Sequence, residues 1–97
     1  MIASGDVVVA DLGGETRELA LVISNARFHR AASRAWVAPE FTATSTPTPP
    51  PWHVAVDGRM FALDALQSIP VERALEVVGQ ASAATMRRAR NAVLYIA

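Results

Sequence analysis

The chain has 97 residues, of which 52% are hydrophobic, so it is long enough and apolar enough to form one domain with one core. Nine basic and nine acidic residues give a formal net charge of zero, which argues against a general polyanion binder but allows a local basic groove. The sequence has no Cys and no apolar run near the ~20 residues of a membrane span, which excludes disulfides, thiolate metal sites and a transmembrane helix.

The first half of the chain predicts three short strands. The β-branched run 7–10 predicts a buried strand, and residues 19–24 predict a second strand that forms a hairpin with it. Residues 25–34 fit either a helical turn or an irregular connection. The run 35–38 predicts a third strand, which we expect to end at Pro39 because proline lacks an amide N–H.

The middle of the chain predicts a loop and a hairpin. Residues 42–51 are rich in Thr and Pro, which favours an exposed loop over a central strand or a helix. The alternating run 52–56 predicts a strand. Asp57-Gly58 is a strong signal for a hairpin turn, so we expect residues 60–63 to return as the next strand.

The last third of the chain predicts a helix after further extended segments. Residues 66–70 predict a strand and a turn, whereas 73–78 fit either a helix or a strand. Ser82 is a suitable N-cap for a helix over 83–95. The apolar stripe of this helix comprises Met86, Ala89, Val93 and Ile96.

Together these elements predict a mainly β fold with one C-terminal α-helix. Five to seven short, closely spaced strands favour a small, strongly bent sheet or barrel on which the helix packs. No internal repeat or domain boundary divides the sequence, so we expect one domain over residues 1–97. Met1-Ile2-Ala3 lacks the charged region of a signal peptide, and we expect a soluble cytoplasmic protein.

A cluster of charges interrupts the apolar N-terminal hairpin. Glu15 and Glu18 flank Arg17 between the first two predicted strands. The three charges either pair with one another at the surface, for about 0–1 kcal/mol, or leave Arg17 to bind a phosphate, whose oxygens match its planar guanidinium. The pattern of residues alone leaves both interpretations open.

The order of several motifs resembles the MazF/PemK toxin family over nearly the whole chain. In the first half, the matching pieces are Gly5-Asp6-Val7-Val8, Arg17, Leu21 to Asn25, Val37-Ala38-Pro39 and Thr42. In the second half, they are Leu63 to Ile69, Glu72 to Gly79, Ser82 and Met86. The resemblance rests on the order and spacing of these pieces rather than on any one of them.

The resemblance implies a fold, an activity and partners. The fold is an SH3-like barrel of five to seven strands with a C-terminal helix, assembled as a homodimer. The activity is that of the toxin of a type II toxin–antitoxin system, most often a ribosome-independent, sequence-specific endoribonuclease that cleaves single-stranded RNA. The partner is a cognate antitoxin, whose acidic and partly disordered C-terminal segment blocks the RNA groove. We expect no cofactor and no contact with a membrane.

The resemblance also predicts catalytic residues. Attack of an RNA 2′-hydroxyl on the adjacent phosphorus requires a base, an acid for the leaving oxygen and donors for the developing charge. Arg17 is the expected charge stabiliser. Thr42 adds a hydroxyl donor, with Thr44 as its rival and a further RNA-binding residue, and Glu15 is the expected base.

Three further arginines are candidates for binding the RNA backbone. Arg27, Arg30 and Arg34 either line the groove or form one solvated face of a turn. His29, which lies among them, is either a general acid or a surface or partly buried histidine. His29 and His53 lack the spacing of a metal-binding motif, so we predict no metal site.

The chain departs from the family pattern at two points, and alternatives follow from this. Glu18 comes after Arg17 where the family usually has Pro, and the spacing from Pro39 to Thr42 is longer than usual. One alternative is a CcdB-like toxin that binds gyrase through the end of its C-terminal helix and has no nuclease activity. Another is a degenerate relative that only dimerises and binds an antitoxin.

Overall fold

Seven strands in one antiparallel sheet form the frame of the protein, for which a computed structural model describes residues 1–42 and 48–97. The strands are β1 (Asp6–Ala10), β2 (Glu18–Val22), β3 (Arg34–Phe41), β4 (His53–Val56), β5 (Arg59–Ala62), β6 (Gln67–Pro70) and β7 (Ala74–Gln80). The helices are α1 (Ala26–Ala32) and α2 (Ala83–Ile96), and 3-10 turns cover Leu63–Ala65 and Val71–Arg73. This architecture confirms the predicted mainly β fold with a C-terminal helix.

Strand β3 is the centre of the sheet because it pairs with three other strands. The strand order is β4-β5-β3-β2-β1-β7, and β6 pairs with β3 as well. One edge of β3 pairs with β2. Its other edge pairs first with β6 and then with β5, so the sheet changes direction along β3. The predicted turn at Asp57-Gly58 joins β4 to β5, with positive φ angles of 50° and 79° at its two residues.

The prediction that the third strand ends at Pro39 is wrong. Strand β3 continues to Phe41, and Pro39 lies opposite Ala20 of β2. On the other edge, β6 pairs as far as Val37 and β5 pairs from Glu40 onwards, so Pro39 lies between two partner strands. A residue without an amide N–H is tolerated at such a gap in the hydrogen-bonded ladder.

Residues 73–78, which fitted a helix or a strand, belong to strand β7. This strand pairs with β1 from Asp6↔Gln80 to Ala10↔Ala74, with two irregularities in the register. It is the last strand in the order of the sheet. Tertiary pairing with the buried β1 therefore selects the extended conformation that the local pattern left open.

Helix α2 begins where the sequence predicts but buries a slightly different face. The Ser82 hydroxyl accepts a hydrogen bond from the Thr85 amide at 3.1 Å, as expected of an N-cap. Met86, Ala89 and Ala92 are buried, whereas Ile96, expected in the apolar stripe, is 49% exposed. Ile96 is the last residue of the helix. No helix in residues 1–42 and 48–97 is long and apolar enough to cross a membrane.

Two apolar clusters form the core, one on each face of the sheet. The first cluster lies under α2 and is centred on Phe61 and Leu21, which are both fully buried. The second is centred on Val8, Val22 and Val37 on the opposite face. Burial on both faces fixes the register of β1, β2 and β3, because a slip by one residue would exchange the two faces.

Candidate functional site

Two of the predicted catalytic residues lie at the same end of the β2–β3 strand pair. Arg17 immediately precedes β2 and Thr42 immediately follows β3, and the two strands are antiparallel. The observed pairs run from Val22↔Val37 to Ala20↔Pro39. The pairing ends at Ala20↔Pro39, three residues short of both Arg17 and Thr42, so the two residues lie at one end of the strand pair. Both residues are exposed, so this end of the sheet presents a cation and a hydroxyl group to solvent.

The charges of the β1–β2 loop do not pair with one another. Glu15, Arg17 and Glu18 are all exposed, and within the described part of the chain no carboxylate lies within 4.0 Å of the Arg17 guanidinium. The loop is held instead at its start, where the Asp11 carboxylate accepts a hydrogen bond from the Gly13 amide at 2.9 Å. The sequence left two interpretations of these charges open. The first, in which the three charges pair with one another at the surface, is not what the structure shows.

A second arginine, Arg59, which the sequence motifs do not single out, begins β5 and forms an ion pair with Glu40, two residues before Thr42. The Arg59 Nη1 atom donates to the Glu40 Oε2 atom at 2.8 Å. Glu40 lies on β3 and pairs with Phe61 of β5. A hollow of about 160 Å³, whose lining includes Leu19, Phe61 and Arg59, opens beside this ion pair. The signal that could have revealed Arg59 is the Asp57-Gly58 turn, which places it at the start of β5.

The three arginines predicted to bind RNA lie at the opposite end of the same strand pair. Arg27 and Arg30 lie on α1, which connects β2 to β3, and Arg34 begins β3. Eight residues of β3, or roughly 26 Å at ~3.3 Å per residue, separate this end from Thr42. The structure therefore does not bring these arginines together with Arg17 and Thr42. Thr44 lies outside the described residues.

Arg34 already has internal partners. Its Nε atom donates to the Ser68 hydroxyl at 2.7 Å, and its Nη2 atom donates to the Ser68 carbonyl, also at 2.7 Å. These two bonds tie β3 to β6 and use the Nε–Nη2 edge of the guanidinium, one of the two edges that could bind a phosphate bidentately.

His29 is buried rather than exposed. It belongs to α1, and the residue is only 4% exposed. Its Nδ1 atom lies 3.1 Å from the Ile2 carbonyl and its Nε2 atom 2.6 Å from the Ser24 hydroxyl. The Ser24 oxygen also accepts the Trp36 amide at 2.8 Å. Since the carbonyl can only accept, Nδ1 carries a proton, and in the neutral imidazole Nε2 then accepts from the Ser24 hydroxyl. Both ring nitrogens thus have partners within the fold, at the end of the strand pair opposite to Arg17.

The described residues contain no cluster suited to a metal ion. In residues 1–42 and 48–97, no three His, Asp or Glu side chains converge closely enough to hold one. His53 has a single acidic neighbour, Asp64, at 3.8 Å, and its ring lies 4.4 Å from that of Phe41.

The bent antiparallel sheet with its C-terminal helix is the fold of MazF-like toxins. It is similar to an endoribonuclease in complex with its cognate antitoxin from a mycobacterial species, with 20% identity, a TM-score of 0.83, and coverage of 98% of this chain and 93% of that chain. It is also similar to a MazE–MazF complex from Deinococcus radiodurans, with 20% identity, a TM-score of 0.78 and coverage of 98% and 93%. The Mycobacterium tuberculosis toxin MazF-mt6 matches with 20% identity, a TM-score of 0.73 and coverage of 91% of each chain.

The sequence itself gives the family. The model of the PemK-like, MazF-like toxins of type II toxin–antitoxin systems matches residues 3–96, and the chain belongs to this family. No curated protein matches the sequence significantly. The predicted family is thereby confirmed, whereas the roles of individual residues remain predictions.

Proposed function

We propose that this toxin cleaves single-stranded RNA as a ribosome-independent, sequence-specific endoribonuclease. The observation that carries the proposal is that the exposed Arg17 immediately precedes β2 and the exposed Thr42 immediately follows β3, at one end of this antiparallel strand pair. A guanidinium that forms no ion pair, at the same end of the sheet as a hydroxyl donor, is suited to bind a phosphodiester. Membership of the toxin family and the fold shared with an endoribonuclease support the same conclusion.

The reaction that fits this site needs no metal ion. The RNA 2′-hydroxyl attacks the adjacent phosphorus, a new O2′–P bond forms and the P–O5′ bond breaks. The Glu15 carboxylate accepts the proton of the 2′-hydroxyl, and the leaving 5′-oxygen takes a proton from solvent water, to which Glu15 then returns its own proton. The products are a 2′,3′-cyclic phosphate and a 5′-hydroxyl. Arg17 stabilises the charge that develops on the phosphoryl oxygens, and Thr42 donates a further hydrogen bond to them.

The same proposal includes a homodimer and a cognate antitoxin. Strand β7 is at the end of the sheet and exposes apolar side chains, with Leu75 45%, Val77 51% and Val78 50% exposed. A groove of about 560 Å³ runs beside this strand. A long apolar edge strand is a liability for an isolated chain, and we assign it to contact with the second copy. The exposed Arg17 suits the acidic segment of an antitoxin, which would block access of RNA.

One observation favours a second candidate function. The end of α2 exposes large apolar side chains, with Leu94 74% and Tyr95 69% exposed. The Tyr95 ring also stacks on Trp52, with centroids 6.0 Å apart. A toxin that binds gyrase through its last helix would use such anchors and would not need Arg17.

RNA cleavage in EDTA separates the two candidates. Purified protein without antitoxin, whose mass in solution is checked by light scattering, is incubated with a long single-stranded RNA, and the cut sites are mapped by primer extension. We expect discrete cuts that Arg17→Ala reduces by about 10²-fold or more, as is typical of a lost charge-stabilising donor. The matched control Arg90→Ala, on the exposed face of α2, should cut as the wild type does. Absence of cuts from folded wild-type protein, together with inhibition of gyrase, would contradict the nuclease and favour the second candidate.

A further inference from the structure

We propose that Arg59 is a second ligand of the RNA backbone at this site and that Glu40 is its positioning residue. The inference rests on the proposed RNA cleavage and adds a residue and a binding mode to it. It comes from three observations: the register of β3 with β5, the geometry of the ion pair and the unequal exposure of its two members.

The register sets Arg59 in line with Thr42. Strands β3 and β5 pair as Glu40↔Phe61 and Phe41↔Met60, and the next position in this register joins Thr42 to Arg59. On the opposite edge of β3, continuing the β2–β3 register three positions past Ala20↔Pro39 joins Thr42 to Arg17. Neighbouring strands are ~4.8 Å apart, so the two arginines bracket the hydroxyl in a row that is about 10 Å wide.

The same register decides which side chains share a face. Alternate residues of a strand point to the same face, so Glu40 and Thr42 lie on one face of β3. Phe61 and Arg59 lie on the matching face of β5, which confirms that the ion pair belongs to the side of the sheet that carries Thr42. The hollow lined by Leu19 and Phe61 opens on this side as well, next to Arg59.

The ion pair holds Arg59 without using up its donors. The contact between Nη1 of Arg59 and Oε2 of Glu40 is 2.8 Å long, and a guanidinium carries five N–H donors in a planar fork. The carboxylate side chain is 17% exposed, whereas the arginine side chain is 56% exposed. Glu40 thus anchors one corner of the guanidinium in the sheet while the rest faces solvent. This is the arrangement of a prepared phosphate ligand.

The charge balance gives Arg59 a second effect on RNA. A carboxylate that faces the row would repel the phosphates of the substrate, and Arg59 neutralises it. Removing Arg59 would therefore both delete a phosphate contact and expose the charge of Glu40 to the RNA. An exposed ion pair contributes only about 0–1 kcal/mol to folding, so we expect the loss to appear in binding rather than in stability.

The test measures binding of RNA that cannot be cut. The probe is a single-stranded RNA that contains a mapped cut site and carries 2′-O-methyl groups, so it lacks the attacking hydroxyl. Dissociation constants are measured at several salt concentrations. We expect Arg59→Ala to weaken binding about 10-fold and to reduce the slope of log K against log salt by about 0.7, the value of one lost contact to single-stranded nucleic acid. Arg59→Lys should restore the slope, and Arg90→Ala should not change it.

Glu40→Gln tests the positioning role separately. This variant keeps the charge of Arg59, so the slope should stay at least as steep as that of the wild type. The rate of cleavage at saturating RNA should fall, because the guanidinium is no longer held in place. Urea unfolding of each variant shows whether a change in binding reflects loss of the fold.

The outcomes distinguish this inference from the proposed function. If the wild type binds and cuts RNA but Arg59→Ala has the same affinity and slope, Arg59 is not a ligand and only this inference is overturned. If the folded wild type neither binds the probe nor cuts unmodified RNA, the proposed function fails and the inference fails with it.

Discussion

The two ends of the β2–β3 strand pair use the same types of residue in different ways. At the α1 end, Arg34 is bound to Ser68, and the imidazole of His29 lies between Ser24 and the Ile2 carbonyl. At the loop end, by contrast, Arg17 is exposed and no carboxylate among the described residues lies within 4.0 Å of its guanidinium. Arg34 and His29 thus use internal partners, whereas Arg17 presents its charge to solvent.

This difference shows that the role of a basic residue can be inferred only when its hydrogen-bond and ion-pair partners are known. A guanidinium held by two hydrogen bonds stabilises the fold, whereas an exposed one that nothing neutralises is available to a phosphate. Substitutions at the two ends should therefore have different consequences. Substitutions of the exposed side chains at the loop end should reduce activity while the protein stays stable. Substitutions that remove the internal contacts of Ser24 or Arg34 at the α1 end should reduce stability while the folded fraction remains active.

Glu15→Gln is expected to have the largest effect, and on activity alone. The amide has nearly the same shape as the carboxylate but cannot accept the proton of the 2′-hydroxyl. Loss of a general base typically costs about 10²–10⁴-fold in rate. We expect a fall of this size in single-turnover cleavage, with unchanged affinity for 2′-O-methylated RNA and an unchanged midpoint of urea unfolding.

The neighbouring acid supplies the control for this prediction. Glu18→Gln removes one negative charge from the same loop end, but Glu18 begins β2 and pairs with Ala10 of β1. The Glu18→Gln variant should cleave RNA at a rate within about threefold of that of the wild type. Equal losses in Glu15→Gln and Glu18→Gln would show that the loop acts through its total charge and that Glu15 is not the base.

Ser24→Ala should have the next largest effect, and on stability. The Ser24 hydroxyl accepts the Trp36 amide and donates to the buried His29, so its removal leaves two polar groups without their partner. Such a loss costs about 1–3 kcal/mol. Urea unfolding should show this decrease, and the folded fraction should cleave RNA at the wild-type rate.

A matched serine tests whether Ser24→Ala destabilises the protein through the hydrogen bonds around His29 or as the loss of any serine hydroxyl would. Ser4 lies at the same end and donates one hydrogen bond, at 3.2 Å, to the Ile23 carbonyl. Ser4→Ala should cost at most ~1 kcal/mol. If Ser24→Ala were no more destabilising than Ser4→Ala, the network around His29 would not be what stabilises this end.

Most elements of the fold were predictable because their signals are local. The β-branched run of β1, the Asp57-Gly58 turn and the Ser82 cap each act within a few residues. The passage of β3 through Pro39 was not predictable, because it depends on a change of partner strand from β6 to β5. The strand at 73–78 likewise required its partner β1.

The candidate site was predictable only in part, for a related reason. Arg17 and Thr42 came from a family resemblance, and the antiparallel pairing of β2 and β3 then places them at one end of the strand pair. Arg59 carries no motif, and it lies 19 residues from its partner Glu40 in the sequence, so their link depends on the pairing of β3 with β5. The burial of His29 also escaped the analysis, because its partner Ile2 is 27 residues away.

Arg34→Ala should have the smallest effect. This variant tests whether Arg34 stabilises the fold or binds RNA. Its two hydrogen bonds to Ser68 are exposed, so their loss should reduce the free energy of unfolding by about 0.5–1.5 kcal/mol. RNA affinity and its salt dependence should not change. Arg27→Ala, on the exposed surface of α1, should alter stability by no more than ~0.5 kcal/mol. If instead both variants kept their stability and each lowered the salt slope by about 0.7, the α1 end would be part of an RNA track that runs the length of β3, as the sequence predicted.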